Sequence, residues 1–203
     1  MEREASGPAA ERASPTDGEL VRRAQRGDQR AFDLLVVRYS RQATAVSYRL
    51  LGNVHDALEV TQNAFLKGFT SLGSLQNPDS FAGWMMRIVS NLSLNYRRGR
   101  ATRAAAPLDE LVEGMPSDGR SGGWRVTDSS DPVHELESRE MGEKLQEALG
   151  QLPEKQRLAL VMFTMEQMPQ KQVAEALQCS VEAVKWHVFQ GRKKLRELMS
   201  EYL

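Results

Sequence analysis

Between residues 185 and 196 the chain places five Lys/Arg and no Asp/Glu, with the large aromatics Trp186 and Phe189 set among them. Lys185, Trp186, His187, Phe189, Gln190, Arg192 and Lys193 form a set that can engage duplex DNA. Lys and Gln side chains read base edges in the major groove, Phe packs on a thymine methyl, and Lys and Arg neutralise phosphates. A structural alternative stands beside this reading. Trp186 and Phe189 could pack on an earlier helix of the same domain, and a basic last turn serves the helix dipole alone. Both readings stay open at the level of this helix. Nothing in the chain points to catalysis: it offers no nucleophile–base set and no phosphate-binding glycine loop. His55, His134 and His187 show no metal-ligand spacing, and no cofactor is expected.

The stretch that carries this set, SVEAVKWHVFQGRKKLREL, predicts a helix capped by Ser180. Val181, Val184, Val188, Leu195 and Leu198 fall on one side as the buried stripe, with Gly191 allowing close approach. Glu182, Lys185, Trp186, Phe189, Gln190 and Lys193 fall on the other. Pro169 opens a short helix before it with Val173 and Leu177 inward, and Gln178, Cys179 and Ser180 make a tight turn between the two. Short helix, turn and basic helix make a helix-turn-helix, whose second helix enters the major groove. Cys179 is expected as a small buried thiol in that turn. Upstream, Pro153 opens a helix with Leu158, Val161, Met162 and Met165 inward. Another begins near His134 with Leu136, Met141, Leu145 and Leu149 in one stripe.

The first half is also helical by its periodicity. Thr16 and Glu19 fit a capping box, and that helix stops at Gly27. Asp28 caps a longer helix with Phe32, Leu35, Val36, Tyr39, Ala43 and Val46 inward, ended by Gly52. Asn53 caps a third, with Ala57, Thr61, Ala64, Phe65, Phe69 and Leu72 inward. GSLQNPDS breaks the pattern, and a fourth helix puts Phe81, Trp84, Met85, Ile88 and Leu92 on one face and ends in YRRGR. Trp84 is expected in the core. No strand alternation occurs, so the fold class is all-α.

Charge segregates along the chain although the net charge is zero. Residues 17–103 carry 13 Lys/Arg against 7 Asp/Glu, residues 104–133 carry 2 against 6, and residues 134–203 carry 10 against 11. The expected organisation is a disordered tail (1–15), a basic helical domain (16–103), an acidic linker rich in Gly, Ser and Pro (104–133), and a second helical domain (134–203). Trp124 inside the linker is an oddity that docking would explain. One cysteine excludes an internal disulfide framework, and no apolar run reaches membrane-spanning length. A cytoplasmic location in a reducing compartment is expected.

Three segments occur in order: YRLLGNVHDALEVTQNAFLKGF (48–69), FAGWMMRIVSNLSLNYRRGR (81–100) and the run from ALGQLPEKQR to the end of the basic helix (148–198). Together they resemble a bacterial RNA polymerase sigma factor of the extracytoplasmic-function type, over about residues 17–100 and 134–203. The LPxxQR turn at Leu152–Arg157 and the FxxWxxRIxxN run at Phe81–Asn91 carry the resemblance best. It implies two helical domains, regions 2 and 4, joined by a flexible linker. It implies a protein that is not an enzyme, has no small-molecule substrate, binds core RNA polymerase, brings it to promoters and helps open the DNA. Region 4 would read the −35 element as duplex through the set named above. Many relatives have Ser or Thr where Trp186 stands and Arg where Gln190 stands, which implies an altered −35 preference. The fourth helix would hold the single-stranded −10 element with Arg87, Asn91, Asn95, Arg97 and Arg98, with Arg100 and Arg103 nearby. The preceding loop would receive a flipped base through Gln76, Asn77 and Ser80. The third helix would bind the polymerase clamp through Asp56, Glu59, Gln62 and Asn63. Relatives usually read DAEDLVQE where this chain reads DALEVTQN, and Leu58 can supply apolar contact in place of a common acid. The acidic linker would thread the polymerase's basic channels. An anti-sigma protein is the expected inhibitor, and with the chain ending at MSEYL no fused regulatory domain is expected. The competing function is a stand-alone helix-turn-helix regulator that dimerises on a palindrome, which leaves the basic first domain without a task.

Overall fold

The computed structural model describes residues 14–104, 132–200 and 202. Regular structure among them is helical throughout: α1 (Asp17–Gln25), α2 (Gln29–Leu51), α3 (Val54–Ser71), α4 (Phe81–Ala104), α5 (Pro132–Gly150), α6 (Glu154–Ala159), α7 (Gln170–Leu177) and α8 (Val181–Leu198). Two 3₁₀ turns, Leu72–Ser74 and Pro78–Ser80, fill the loop before α4. α6 runs on into a π-helical turn, Leu160–Met165.

The helix starts are where their capping residues put them. Thr16 Oγ1 accepts from Glu19 N at 3.3 Å while Glu19 Oε2 accepts from Thr16 N at 2.8 Å, a complete capping box. Asp28 accepts from Ala31 N, Asn53 from His55 N and Asp56 N, and Ser180 from Ala183 N. Each such cap is worth about 1 kcal/mol. Gly27 at φ 95° and Gly52 at φ 74° turn the chain through the left-handed region that ends α1 and α2.

α4 is the pillar of the first domain. Phe81, Met85, Met86 and Val89 are buried against Leu20, Val21, Leu35 and Val46 of α1 and α2. Trp84 is buried as well, in a row with Phe81 and Tyr39 at centroid spacings of 5.9 and 5.5 Å. Burial, then the hydrogen bond it donates to Asp17, pushes the Tyr39 phenol far above its usual range, so it stays a donor. Ser47, Thr61 and Ser93 are buried where α2, α3 and α4 meet. Thr61 and Ser93 hydroxyls each reach Ser47 Oγ, at 3.4 and 3.3 Å. Their small size lets three helices approach closely, and their hydroxyls satisfy one another.

In the second domain Leu149, Leu152 and Leu160 form a small cluster with Leu145 and Leu195 against it. Leu158, Val161, Met162, Val173, Leu177, Val184 and Val188 belong instead to one continuous core shared with the first domain. α7 lies directly on α4: a Cβ added at Gly83 would stand 2.6 Å from Glu175 Cβ and 2.8 Å from the Gln172 carbonyl oxygen. No such packing was legible in the sequence.

Other differences are local. Phe69 is 42% exposed rather than inward, resting edge-on against Phe32. The inward place in that last turn of α3 goes to Gly68, whose Cα side faces Met85 Sδ. Met141 is 40% exposed, lining an open groove with Tyr202. α4 continues past Gly99 to Ala104, and α5 begins at Pro132, a position where proline lacks no needed N–H. Met165 is half-buried at the end of the π-helical turn, which the apolar spacing did not reveal. Cys179 is half-buried and packs on the core from the turn. The tail to residue 13, the linker from 105 to 131 with Trp124, and the side chains of Arg103, His134 and Leu136 lie outside the described residues.

Candidate nucleic-acid interface

α7, the turn and α8 form the expected helix-turn-helix. Gln178 takes φ 50°, and the following Cys179 N donates back to Ala174 O at 3.0 Å, which reverses the chain in two residues. A non-glycine residue in that region costs about 1 kcal/mol or more, offset here by the closed turn. Val184 and Val188 point inward, and Gly191 lets α8 settle on Leu160 and the Gln156 carbonyl. This seating decides what faces outward.

Lys185, Trp186, Phe189, Arg192 and Lys193 are exposed, Trp186 at 54% and Phe189 at 65%. Among the described residues no earlier helix covers either ring, so the packing part of the structural alternative fails. Trp186 meets the His187 ring edge-on, with centroids 5.0 Å apart. Arg192 is steered by Thr164 Oγ1, which accepts from its Nη2 at 3.2 Å. Gln190 is half-buried at the flank of the face. His187 is turned partly inward, and its Nδ1 is buried without a hydrogen-bond partner among the described residues. Burial, and then the nearby Lys155 charge, hold its pKa below the ordinary value, so it is neutral at neutral pH. It therefore adds no cation to this face.

In the first domain the loop before α4 is held from within. Gln25 Nε2 donates to both Leu72 O and Leu75 O at 3.0 Å. Asn77 caps the second 3₁₀ turn by accepting from Asp79 N and donates from Nδ2 to Ser80 Oγ at 2.9 Å. Ser80 Oγ in turn donates to Glu175 Oε1 of α7 at 3.2 Å. Gln76 and Asn77 are exposed. On α4, Asn91 and Asn95 are exposed and Arg87 is half-buried. Arg97 Nη2 donates to Gly150 O at 3.0 Å, and Arg98 Nη2 pairs with Glu154 Oε2. Arg100 pairs with Asp56. The structure thus groups Gln76, Asn77, Ser80, Arg87, Asn91 and Asn95 along one end and flank of α4, and ties Ser80, Arg97 and Arg98 to the second domain.

On α3, Glu59, Gln62 and Asn63 are exposed. Asp56 is different: Tyr96 OH donates to its Oδ1 at 2.9 Å and Arg100 takes the other oxygen, so it fastens α3 to α4. Leu58 and Leu66 are exposed one turn before and one turn after Gln62, with Leu34 and Val37 of α2 also exposed. Leu66 was missed by sequence reasoning. Its signal was an apolar residue off the buried stripe, at i+8 from Leu58 and i+4 from Gln62. The described residues hold no group of His, Cys, Asp and Glu fit to bind a metal ion. No described helix is long and apolar enough to cross a membrane.

Two family models match this architecture, sigma-70 region 2 over residues 35–103 and sigma-70 region 4 over residues 142–195. The RNA polymerase sigma-H factor of Pseudomonas aeruginosa is 30% identical over 187 residues, 92% of this chain and 95% of that protein. The chain belongs to the sigma-70 family. It is a sigma factor of the extracytoplasmic-function group, as its relatives also indicate: the ECF RNA polymerase sigma-E factor of Escherichia coli is 29% identical over 89% of this chain and 92% of that one. Sigma factors are transcription initiation factors, and these relatives do not favour the stand-alone dimeric regulator. The solved structure of CnrH in complex with the cytosolic domain of CnrY shares the fold at TM-score 0.66 and 23% identity, covering 92% of this chain and 99% of that one. So does the sigma factor RpoE in complex with the anti-sigma factor NepR from Bartonella quintana, at TM-score 0.57 and 16% identity over 85% of this chain and 98% of that one. The region 2 match thus takes in most of α2, all of α3 and nearly all of α4, and the region 4 match the second half of α5, α6, α7 and most of α8.

Proposed function

We propose that this sigma factor directs core RNA polymerase to promoters by gripping them at two places. α8 carries the −35 contact: Lys185, Gln190, Arg192 and Lys193 supply donors for base edges and phosphates, and Phe189 and Trp186 supply apolar contact. The observation that supports this most directly is the exposed aromatic and cationic face of α8, mounted rigidly through a buried rear stripe. The end and flank of α4, with the loop of Gln76, Asn77 and Ser80, receive the parted −10 strand. Glu59, Gln62 and Asn63 of α3 meet the polymerase clamp, with Leu58 and Leu66 adding an apolar row in place of charge. An exposed apolar row of this kind marks a docking surface. Asp56 acts behind that surface as a brace. The protein works in the cytoplasm without cofactor, substrate or catalysis of its own, and an anti-sigma protein is its inhibitor.

The test is a gel shift on a promoter fragment taken upstream of a gene induced by overexpression. The shift is expected only when core polymerase is present. A tight complex formed by the free protein as a dimer, unchanged by polymerase, would favour an ordinary repressor or activator instead.

A further inference from the structure

One helix holds both ends of the loop that precedes α4. At the upstream end Gln25, the last residue of α1, donates from Nε2 to Leu72 O and to Leu75 O, each at 3.0 Å. A carboxamide nitrogen carries two hydrogens, and both are used. Leu72 and Leu75 are buried in the same core as Leu20, Val21 and Ala24 of α1. Gln76 and Asn77 follow at once and are exposed. At the downstream end Asp79 lies against Gly18, where its carboxylate leaves no room for a Cβ, and Arg22 Nη2 stands 3.8 Å from Asp79 Oδ2. α1 is itself fastened to α2. Asp17 takes the Tyr39 hydroxyl and the Arg38 guanidinium, and Arg23 Nη2 meets Asp28 Oδ2 at 2.8 Å.

The two anchors differ in kind. The Arg22–Asp79 pair is exposed and longer than a hydrogen bond, so it fixes little. The Gln25 amide instead pins two backbone carbonyls directly. Gln25 is otherwise exposed, so its replacement leaves the apolar core intact.

We propose that Gln25 is a positioning residue for base selection in the −10 strand. It touches no base. It fixes Leu72 and Leu75, and through them the point from which Gln76 and Asn77 reach out to one base edge. This rests on the proposed assignment of that loop to the extruded base. Groups that select a ligand by hydrogen bonds must be held to within about 0.5 Å by the residues behind them. α1 supplies that support here.

The test uses the full chain bound to core polymerase. The probe is a fluorescein-labelled non-template strand of the promoter fragment from the gel shift, with each −10 position changed in turn to the other three bases. Anisotropy gives the ratio of best to worst affinity at every position. That ratio is independent of the fraction of chain that is folded, so a loss of stability alone does not move it. Gln76→Ala and Asn77→Ala locate the position that the loop reads. There the ratio is expected to be about tenfold in the parent and about threefold in Gln25→Met, which keeps the stem and loses both hydrogens. Gln25→Glu sets an oxygen against the two carbonyls and is expected to lower the ratio at least as far. Ratios at the other positions should stay at the parent values. Hydrogen exchange on the free chain is the second reading, with the amides of 75–80 expected to exchange several-fold faster in both variants. If Gln25→Met keeps the parent ratio where a loop variant flattens it, the positioning role is overturned and the loop assignment stands. A fallen ratio with unchanged exchange would mean that Gln25 meets the strand itself, which also overturns it. If neither loop variant flattens any position, the loop reads no base and both readings fall.

Discussion

Replacing Gly191 by alanine asks whether α8, the proposed recognition helix, is seated as described. In an open helix the change would help, because alanine is favoured over glycine by about 1 kcal/mol in a helix interior. At Gly191 the new Cβ would lie 2.7 Å from Leu160 Cδ1, 3.1 Å from its Cγ and 3.2 Å from the Gln156 carbonyl oxygen. Leu160 is itself buried and cannot swing into solvent, and the carbonyl belongs to the α6 backbone. α8 must therefore lift off α6, and overpacking of this kind costs about 1–3 kcal/mol. The expected net effect is a destabilisation of about 1 kcal/mol. Gly142, in α5, has nothing among the described residues within 4 Å of its Cβ position, and Gly142→Ala should stabilise by about the propensity gain. Urea midpoints of the two variants should therefore move in opposite directions from the parent. Because α8 carries the residues proposed to read duplex DNA, Gly191→Ala should also weaken −35 binding by polymerase holoenzyme several-fold, and Gly142→Ala should not. If Gly191→Ala stabilised the chain as much as Gly142→Ala, the seating of α8 on α6 would be wrong, and so would the assignment of its outward face.

Lys185→Ala should lower the slope of log affinity against log salt by about one on −35 duplex, whereas Phe189→Ala should weaken binding with the slope unchanged. Both residues are exposed, so both variants should keep the parent's thermal stability within about 0.5 kcal/mol, and a larger loss would mean that the face is packed. Asp56→Ala should destabilise the first domain by about 1–2 kcal/mol through loss of the Tyr96 and Arg100 contacts, read in thermal melts, and should let the Tyr96 phenol, raised by burial and by Asp56, titrate nearer its usual value. Were Asp56 purely a polymerase contact, the melt would not move. His187 is held neutral by burial, so above about pH 6.5 it is neutral in folded and unfolded chain alike and contributes no pH dependence. Below that pH the unfolded chain takes up the proton first, and stability falls with pH. His187→Gln should remove this part of the loss, seen as a smaller drop in urea midpoint between pH 7.5 and 5.5, and an equal drop in parent and variant would refute it.

What the sequence could reveal was local. Thr16, Asp28, Asn53 and Ser180 cap helices because their own side chains reach the next turn, and Gly27 and Gly52 end them because few other residues adopt their φ. Gly191 was legible too, as the one gap in a helix whose rear stripe is otherwise apolar. The outward face of α8 followed once that stripe was drawn. Non-local facts were hidden. Asp56 looks like any acid in a first helical turn, and nothing nearby in the chain announces Tyr96 and Arg100, more than 35 residues away. Gln25 gives no hint that it holds two carbonyls of a loop some 50 residues on. Gly83 and Glu175 sit in separate periodic stretches, each complete by itself, so their contact has no signature in either. Phe69 fooled the period because Gly68, with no side chain, took the inward place. The π-helical turn differs from an α-helix by a single residue, which apolar spacing alone does not resolve.

Among the described residues Lys185, Trp186, Phe189 and Lys193 stand exposed on the outward face of α8, and that has a bearing on how such factors diversify. Side chains at 185, 186, 189 and 193 can be exchanged with little effect on folding, because none is part of the scaffold that presents them. A duplicated copy could drift at these few positions toward a new set of target genes while its framework, and its fit to the transcription machinery, stayed as they were.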